Sequence, residues 1–150
     1  MAAYEKHFEV RWSDCDANGH LRNTVYSEYC IETRMGFLAA NGFPHAWFKA
    51  RGMGPVILRE ELDYLHEVHL GDAVVVDFFA LGLAPDGSRF RVGHLLRRQG
   101  GKEVARVALL GGWMDLARRR LSPPPEELRR LLESVPRGEP YAELPSLKPR

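Results

Sequence analysis

Residues 55–69, 73–84, 88–99 and 102–116 form four long runs rich in Val, Leu and Phe, parted only by His69-Leu70-Gly71-Asp72, Pro85-Asp86-Gly87 and Gln99-Gly100-Gly101. Apolar runs joined by so few residues, each connector carrying a glycine, are hairpin signals. The second half of the chain is therefore committed to successive antiparallel strands. The first half reads differently. From Asn23 to Asn41 the only Gly or Pro is Gly36, and Tyr26, Tyr29/Cys30, Thr33, Phe37 and Ala40 recur every three or four residues. That is the period of a helix with one buried face. Asn23 is available to cap its start, and Asn41-Gly42 suits the left-handed turn that ends a helix. Residues 4–12 alternate apolar and polar well enough for a first strand. About five strands and one long helix give an α+β layout, with the helix laid across one face of the sheet.

The chain's 150 residues are one domain's length, and 45% hydrophobic with 27% charged residues is a globular composition. Residues 43–54, FPHAWFKARGMG, read as an irregular connection with one helical turn, and Pro123–Val135 as a short second helix capped by Ser122. Four prolines in residues 136–150 leave little that could pack, so the domain is expected over residues 1–135 with an extended or disordered tail after it. No internal repeat is visible.

Several function classes fall away on composition. Lys plus Arg is 21 against 20 acids, without the basic excess of a nucleic-acid binder. The charge-poor stretch Ala73–Pro85 is broken by Asp77 and falls well short of the roughly 20 apolar residues that span a bilayer. Met1–Lys6 carry an early acid and lack the apolar core of a secretory signal, so a cytoplasmic location is expected, with Cys15 and Cys30 as free thiols.

The segment Ser13-Asp14-Cys15-Asp16-Ala17-Asn18-Gly19-His20 sits between a strand and the main helix and supports several readings. Asp14-x-Asp16-x-Asn18-Gly19 opens like a calcium loop, but the twelfth position, which needs a bidentate Glu, is Val25. Asp14, Asp16 and His20, or His66-Glu67-Val68-His69, offer metal-ligand types; His66 and His69 are three apart on an expected strand, which points them to opposite faces. No metal is expected. Asp, Asn and Gly are also ordinary turn residues.

The pattern as a whole decides more than its parts. VRWSDCDANGHLRNTVYSEYCIETR resembles the start of the hotdog-fold thioesterases of the 4-hydroxybenzoyl-CoA thioesterase and YbgC-like group, whose signature is a strand, D-x-D-x-x-G-H-x-x-N-x-x-Y, then a helix. Asp14, Asp16, Gly19, His20, Asn23 and Tyr26 fall in register, and the resemblance continues through Pro55-Val56, Leu62-Asp63-Tyr64 and Gly71-Asp72, covering roughly residues 5–133. It implies a hotdog fold, two subunits pairing their sheets edge to edge in a homodimer or homotetramer, and active sites at the subunit interface. The implied activity is hydrolysis of an acyl-CoA thioester to a carboxylic acid and free coenzyme A, with no cofactor beyond the coenzyme carried by the substrate. Asp16 would be the catalytic carboxylate, as nucleophile or as general base.

Thioester hydrolysis needs an attacking group, a carbonyl-polarising group and a dry acyl site. A carboxylate just before a helix supplies the first, and free amides around Arg22 and Asn23 the second. Plant-type acyl-ACP thioesterases, which this loop also resembles, space an acid, an amide and an imidazole as D-x-N-x-H; Asp16, Asn18 and His20 reproduce that spacing, and a further acid falls near Glu67. Tyr26, Tyr29, Phe37, Trp47 and Phe48 suit an acyl pocket or a packed core. Where relatives read G-H-x-N-N, the first Asn is here Arg22. The basic cluster that the 4-hydroxybenzoyl-CoA thioesterase carries before its fourth strand is replaced here by Pro85-Asp86-Gly87-Ser88, leaving Arg89 and Arg91, which share a strand face, as candidates for the coenzyme's phosphates. Arg118, Arg119 and Arg120 offer the same charge. Other activities fit the same loop: hydrolysis of acyl-ACP, or binding of acyl thioesters without turnover.

Overall fold

The computed structural model describes residues 4–148. Strand β1 (Tyr4–Glu9) leads through a 3-10 turn (Trp12–Asp14) to helix α1 (Asn23–Ala40) and helix α2 (His45–Arg51). Strands β2 (Met53–Tyr64), β3 (Ala73–Leu83), β4 (Arg89–Arg98), β5 (Glu103–Asp115) and β6 (Arg120–Leu121) follow, and then helix α3 (Glu126–Ser134). The sheet order is β1-β3-β4-β5-β2, with the short β6 on β5, and every pairing is antiparallel. Helix α1 packs on β1, β3 and β5, the helix-on-sheet arrangement that the sequence predicts. No helix among the described residues is long and apolar enough to cross a membrane.

The helix period picks out the buried face of α1, with two adjustments. Val25, Tyr26, Tyr29, Cys30, Thr33, Phe37 and Leu38 are buried, whereas Ala40, in the last turn, is exposed. Gly42, at φ +92°, ends α1 as foreseen: its amide donates to Ala39, the Phe43 amide donates to Leu38, and the Leu38 and Phe43 side chains are both buried. The start differs. Arg22 occupies the cap position and Asn23 is the first helical residue, with no side-chain cap bond. The core beneath α1 divides into an aromatic half around Phe37, Phe78, Phe90 and Trp113 and an aliphatic half around Val25, Val74, Val76 and Leu96.

Three boundaries move. β2 stops at Tyr64 rather than continuing to residue 69, because the amides of Leu65 and His66 both turn onto the Val104 carbonyl, at 2.9 and 3.1 Å. Residues 65–72 are thereby a connection and not a strand. β2 is also an outer edge, with Ile57, Leu58 and Tyr64 about half exposed and a bulge at Leu58. Helix α3 begins only at Glu126 with Pro125 at its cap; Ser122 is held elsewhere, its amide on the Trp113 carbonyl. α2 makes two turns where the sequence suggested one.

The proline-rich tail is extended but not loose. Beyond Phe78, the last residue that β1 pairs, β3 has an open edge, and the tail fills it. Ala80 donates to Pro136 at 2.8 Å, Gly138 donates to Ala80 at 2.8 Å, and Ala142 and Leu144 donate to Leu81 and Leu83, each at 3.1 Å. Proline lacks one donor yet keeps its carbonyl, so a segment spaced by prolines can still satisfy a strand edge. The expectation that little here could pack is corrected.

Candidate active site

The 3-10 turn and the start of α1 are joined by a loop built around Asp14, the first acid of the Asp-Cys-Asp sequence. Asp14 is buried and takes hydrogen bonds from the Arg11 amide (3.0 Å), both ends of the Arg11 guanidinium (3.2 and 3.1 Å) and the Tyr29 hydroxyl (3.2 Å). The Arg11 guanidinium holds its carboxyl below the usual carboxylate range, against the opposing effect of burial. Its carbonyl accepts the Arg22 amide at 2.7 Å. Asp14 is thus a structural lock. Asp14→Ala is expected to leave the buried Tyr29 hydroxyl unpaired and to cost about 1–3 kcal/mol, read as a lowered urea midpoint.

Asp16, the second acid, faces outward. Its Oδ1 accepts the amides of Asn18 (2.9 Å) and His20 (3.2 Å), its own amide donates to the His20 carbonyl (2.8 Å), and Gly19, at φ +76°, makes the turn possible. Oδ2 has no partner among the described residues, and Asp16 lines an open hollow of about 280 Å³ with His20, Asn23, Tyr26, Tyr64 and Glu67. Because Asp14 takes the Arg22 amide, that amide is not available for a substrate, contrary to expectation. The amides of Asn23 and Thr24, at the positive end of α1, have no hydrogen-bond partner among the described residues and remain so.

The walls of the hollow come from two directions. Tyr26 stands edge-on to Tyr64, with centroids 5.1 Å apart, and the Tyr64 hydroxyl donates to the Asn23 carbonyl at 3.1 Å. Burial raises the pKa of the Tyr26 phenol, so it keeps its proton and can donate. His20 Nε2 lies 3.3 Å from Glu67 Oε2 across the hollow. The structure therefore brings together Asp16, His20, Asn23, Tyr26 and Glu67. Asn18 stands at the exposed tip of the loop, contributing its amide to Asp16 while its side chain makes no hydrogen bond. Tyr64 completes the wall; only its place in the Leu62-Asp63-Tyr64 match pointed to it.

The two expected phosphate arginines are not in this hollow. Both lie on the face of β4 opposite buried Phe90 and Val92, as strand alternation requires, yet they open into different cavities. Arg89 joins Arg118, Arg120 and Lys148 in a cleft of about 500 Å³, where these four cations outnumber the two acids, Asp86 and Asp115. Arg91 shares its hollow with Arg106 and with four acids, Glu61, Asp63, Glu103 and Glu139, whose excess of negative charge opposes a phosphate there. A further cavity, of about 420 Å³ and almost wholly apolar, lies between α1 and the sheet; Ile57, Phe78, Phe90, Leu109 and Trp113 line it, with Arg34 as its one charged wall. Arg34 Nη1 is 3.0 Å from buried His94 Nε2, whose Nδ1 is 2.8 Å from the Asp77 carbonyl. Trp47 and Phe48 pack as core with Trp113, Tyr29 stacks on Phe8, and Phe37 serves core and cavity alike.

The expected placement of His66 and His69 on a strand, pointing to opposite faces, is also corrected. Residues 66–69 are not strand, and their connection folds back on the loop: His20 and His69 form a backbone bridge, and their side chains converge with that of Glu67.

The family model described as the thioesterase-like superfamily matches residues 10–132. No functionally curated protein matches the sequence. Among solved structures, the fold is similar to a Staphylococcus aureus protein in complex with CoA (18% identity, 89% of this chain and 85% of that one, TM-score 0.79). It is also similar to a 1,4-dihydroxy-2-naphthoyl-CoA thioesterase from Synechocystis (15%, 87% and 96%, 0.78). A third likeness is to a protein of Pseudomonas aeruginosa proposed to be a thioesterase (27%, 87% and 98%, 0.76). The long helix wrapped by an antiparallel sheet is accordingly the hotdog fold.

Proposed function

The chain belongs to the thioesterase-like superfamily, and on that footing we propose that it hydrolyses acyl-CoA thioesters, in the manner of the 4-hydroxybenzoyl-CoA thioesterase and YbgC-like group. The observation that carries the reading is the Asp16 carboxylate: one oxygen is fastened by two amides of its own loop, the other takes no hydrogen bond among the described residues, and the residue lines a hollow at the start of α1. In the reaction, Oδ2 attacks the thioester carbonyl or takes a proton from the attacking water. The Asn23 and Thr24 amides receive the developing oxyanion, the C–S bond breaks, and the coenzyme leaves as the thiol with a proton given up by water; on the nucleophilic route that water hydrolyses the acyl–Asp16 anhydride, releasing the acid and restoring the carboxylate. His20 and Asn18 assist at the same loop, with Tyr26 and Glu67 as walls. Water is the only co-reactant.

A second copy completes the site. In β2, Tyr64 lies beside the start of α1, and Met53, at the other end of the strand, follows α2. Antiparallel pairing of two β2 edges carries the Asp16 loop of one copy toward the Met53 end of the other. That end holds the apolar cavity, suited to an acyl group, and the cleft with Arg89, Arg118 and Arg120, suited to the coenzyme's phosphates. The CoA complex and the naphthoyl-CoA enzyme among the structural neighbours support coenzyme A as the carrier.

Release of free thiol from short, medium, long-chain and aromatic acyl-CoAs, with one acyl group also offered on acyl carrier protein, tests the reading. Turnover on coenzyme A is expected to exceed turnover on the carrier protein. Binding of the whole panel with no thiol released would overturn hydrolysis in favour of an acyl-thioester-binding protein.

A further inference from the structure

We propose that His20, Glu67 and His69 form a site for a divalent transition metal ion, zinc above all. Glu67 Oε2 lies 3.3 Å from His20 Nε2 and 3.7 Å from His69 Nε2, and the ligand atoms of the three residues all fall within 4.8 Å of one another. Bonds of about 2.0–2.1 Å in a tetrahedral zinc site place neighbouring ligand atoms about 3.4 Å apart, so Glu67 already stands near that spacing from each imidazole, and small side-chain rotations would draw the two imidazoles in. Two imidazoles and a carboxylate are the protein ligand set of several zinc centres that keep a fourth position open.

The backbone holds this arrangement. His20 and His69 are bridged, and the Leu21 amide donates to the Val68 carbonyl at 2.7 Å. Leu21 and Val68 are both buried, which leaves their neighbours His20, Glu67 and His69 together on the outer side. Arg98 Nη1 donates to the Glu67 carbonyl at 3.0 Å and steadies the connection from the sheet. The His69 amide donates to Asp72 Oδ2 at 2.9 Å, and the same carboxylate oxygen lies 3.8 Å from His69 Nδ1. With a metal bound at Nε2, which faces the cluster, Nδ1 carries the ring proton, and the Asp72 carboxylate stands on that side to receive it. The set spans two segments some 47 residues apart in sequence and does not match a local metal motif. Occupancy would withdraw His20 Nε2 from the Asp16 hollow; on the thioesterase reading, zinc is then an inhibitor.

Calorimetric titration of the metal-free full chain with zinc, without any acyl substrate, tests the site independently of thioester hydrolysis. One saturable zinc equivalent is expected, and cobalt in its place should show the visible absorption of a tetrahedral ion. His69→Ala, at an exposed side chain, is expected to weaken zinc binding by at least about 10-fold and to abolish the tetrahedral spectrum, and Asp72→Asn to weaken binding by about 10-fold. Zinc should raise the thermal midpoint of the parent chain and not that of His69→Ala. Equal zinc affinity in the parent and His69→Ala, or no saturable binding by the parent, would overturn the proposal.

Discussion

Replacing Asp16 by Asn is expected to lower kcat/KM for thiol release by about 10²–10⁴-fold, the range that a positioned acid or base contributes. The substitution is chosen for what it preserves. An Asn carbonyl can still accept the Asn18 and His20 amides, so the loop keeps its shape, while the charge and the attacking oxygen are gone. Unfolding free energy should change by less than about 1 kcal/mol, because the side chain is exposed and its bonds are local. Asp16→Ala should lose as much activity and loosen the loop besides. If Asp16→Asn keeps more than about a tenth of the parent activity, below the smallest such contribution, Asp16 has no catalytic role.

The second large effect concerns stability in acid. His94 is 1% exposed, and burial, then the neighbouring Arg34 cation, push its pKa down from 6.5 to about 3. It is therefore neutral in the folded protein, Nδ1 donating to the Asp77 carbonyl and Nε2 accepting from Arg34. The unfolded chain takes up a proton near pH 6.5 and the folded chain does not, so stability is full above that pH and falls as the pH drops toward 3. The whole gap corresponds to on the order of 5 kcal/mol, and about 2 kcal/mol of it is lost by pH 5, where carboxylates such as Asp14 and Asp86, held low by their partners, are still ionised. Urea unfolding at pH 7.5 and pH 5 measures the difference. His94→Gln, whose amide can bond both neighbours but cannot charge, should remove most of it; an unchanged pH dependence in that variant would exclude His94 as its source.

Some of this was legible in residue order. The helix face of Tyr26, Tyr29, Cys30, Thr33 and Phe37, the Asn41-Gly42 stop and the hairpin connectors are local signals, and the fold keeps them. The loop signature also placed Asp16, His20, Asn23 and Tyr26, which do meet in one hollow. Other expectations failed where a distant partner decided the matter. Arg22's amide was spent on Asp14, Ser122's on Trp113, and the proline-rich tail found an edge of β3 that β1 was too short to cover. Arg89 and Arg91 had the same spacing and face, yet the acids around Arg91 come from β2, β5 and the tail, which strand alternation cannot reveal.

The order of elements, the α+β class and the acid-bearing loop before the long helix were determined by sequence alone, because turn chemistry and apolar period act over a few residues. Tertiary structure decided which of two adjacent acids is a lock and which is free. Asp14 is buried and takes the hydroxyl of Tyr29, fifteen residues on, while among the described residues Asp16 bonds only to its own loop. It also decided that Glu67 and His69 stand beside His20 and that a cationic cleft gathers at one end of the sheet. Charge and hydrogen bonding act through space, and residues far apart in the chain become neighbours only once the core has closed.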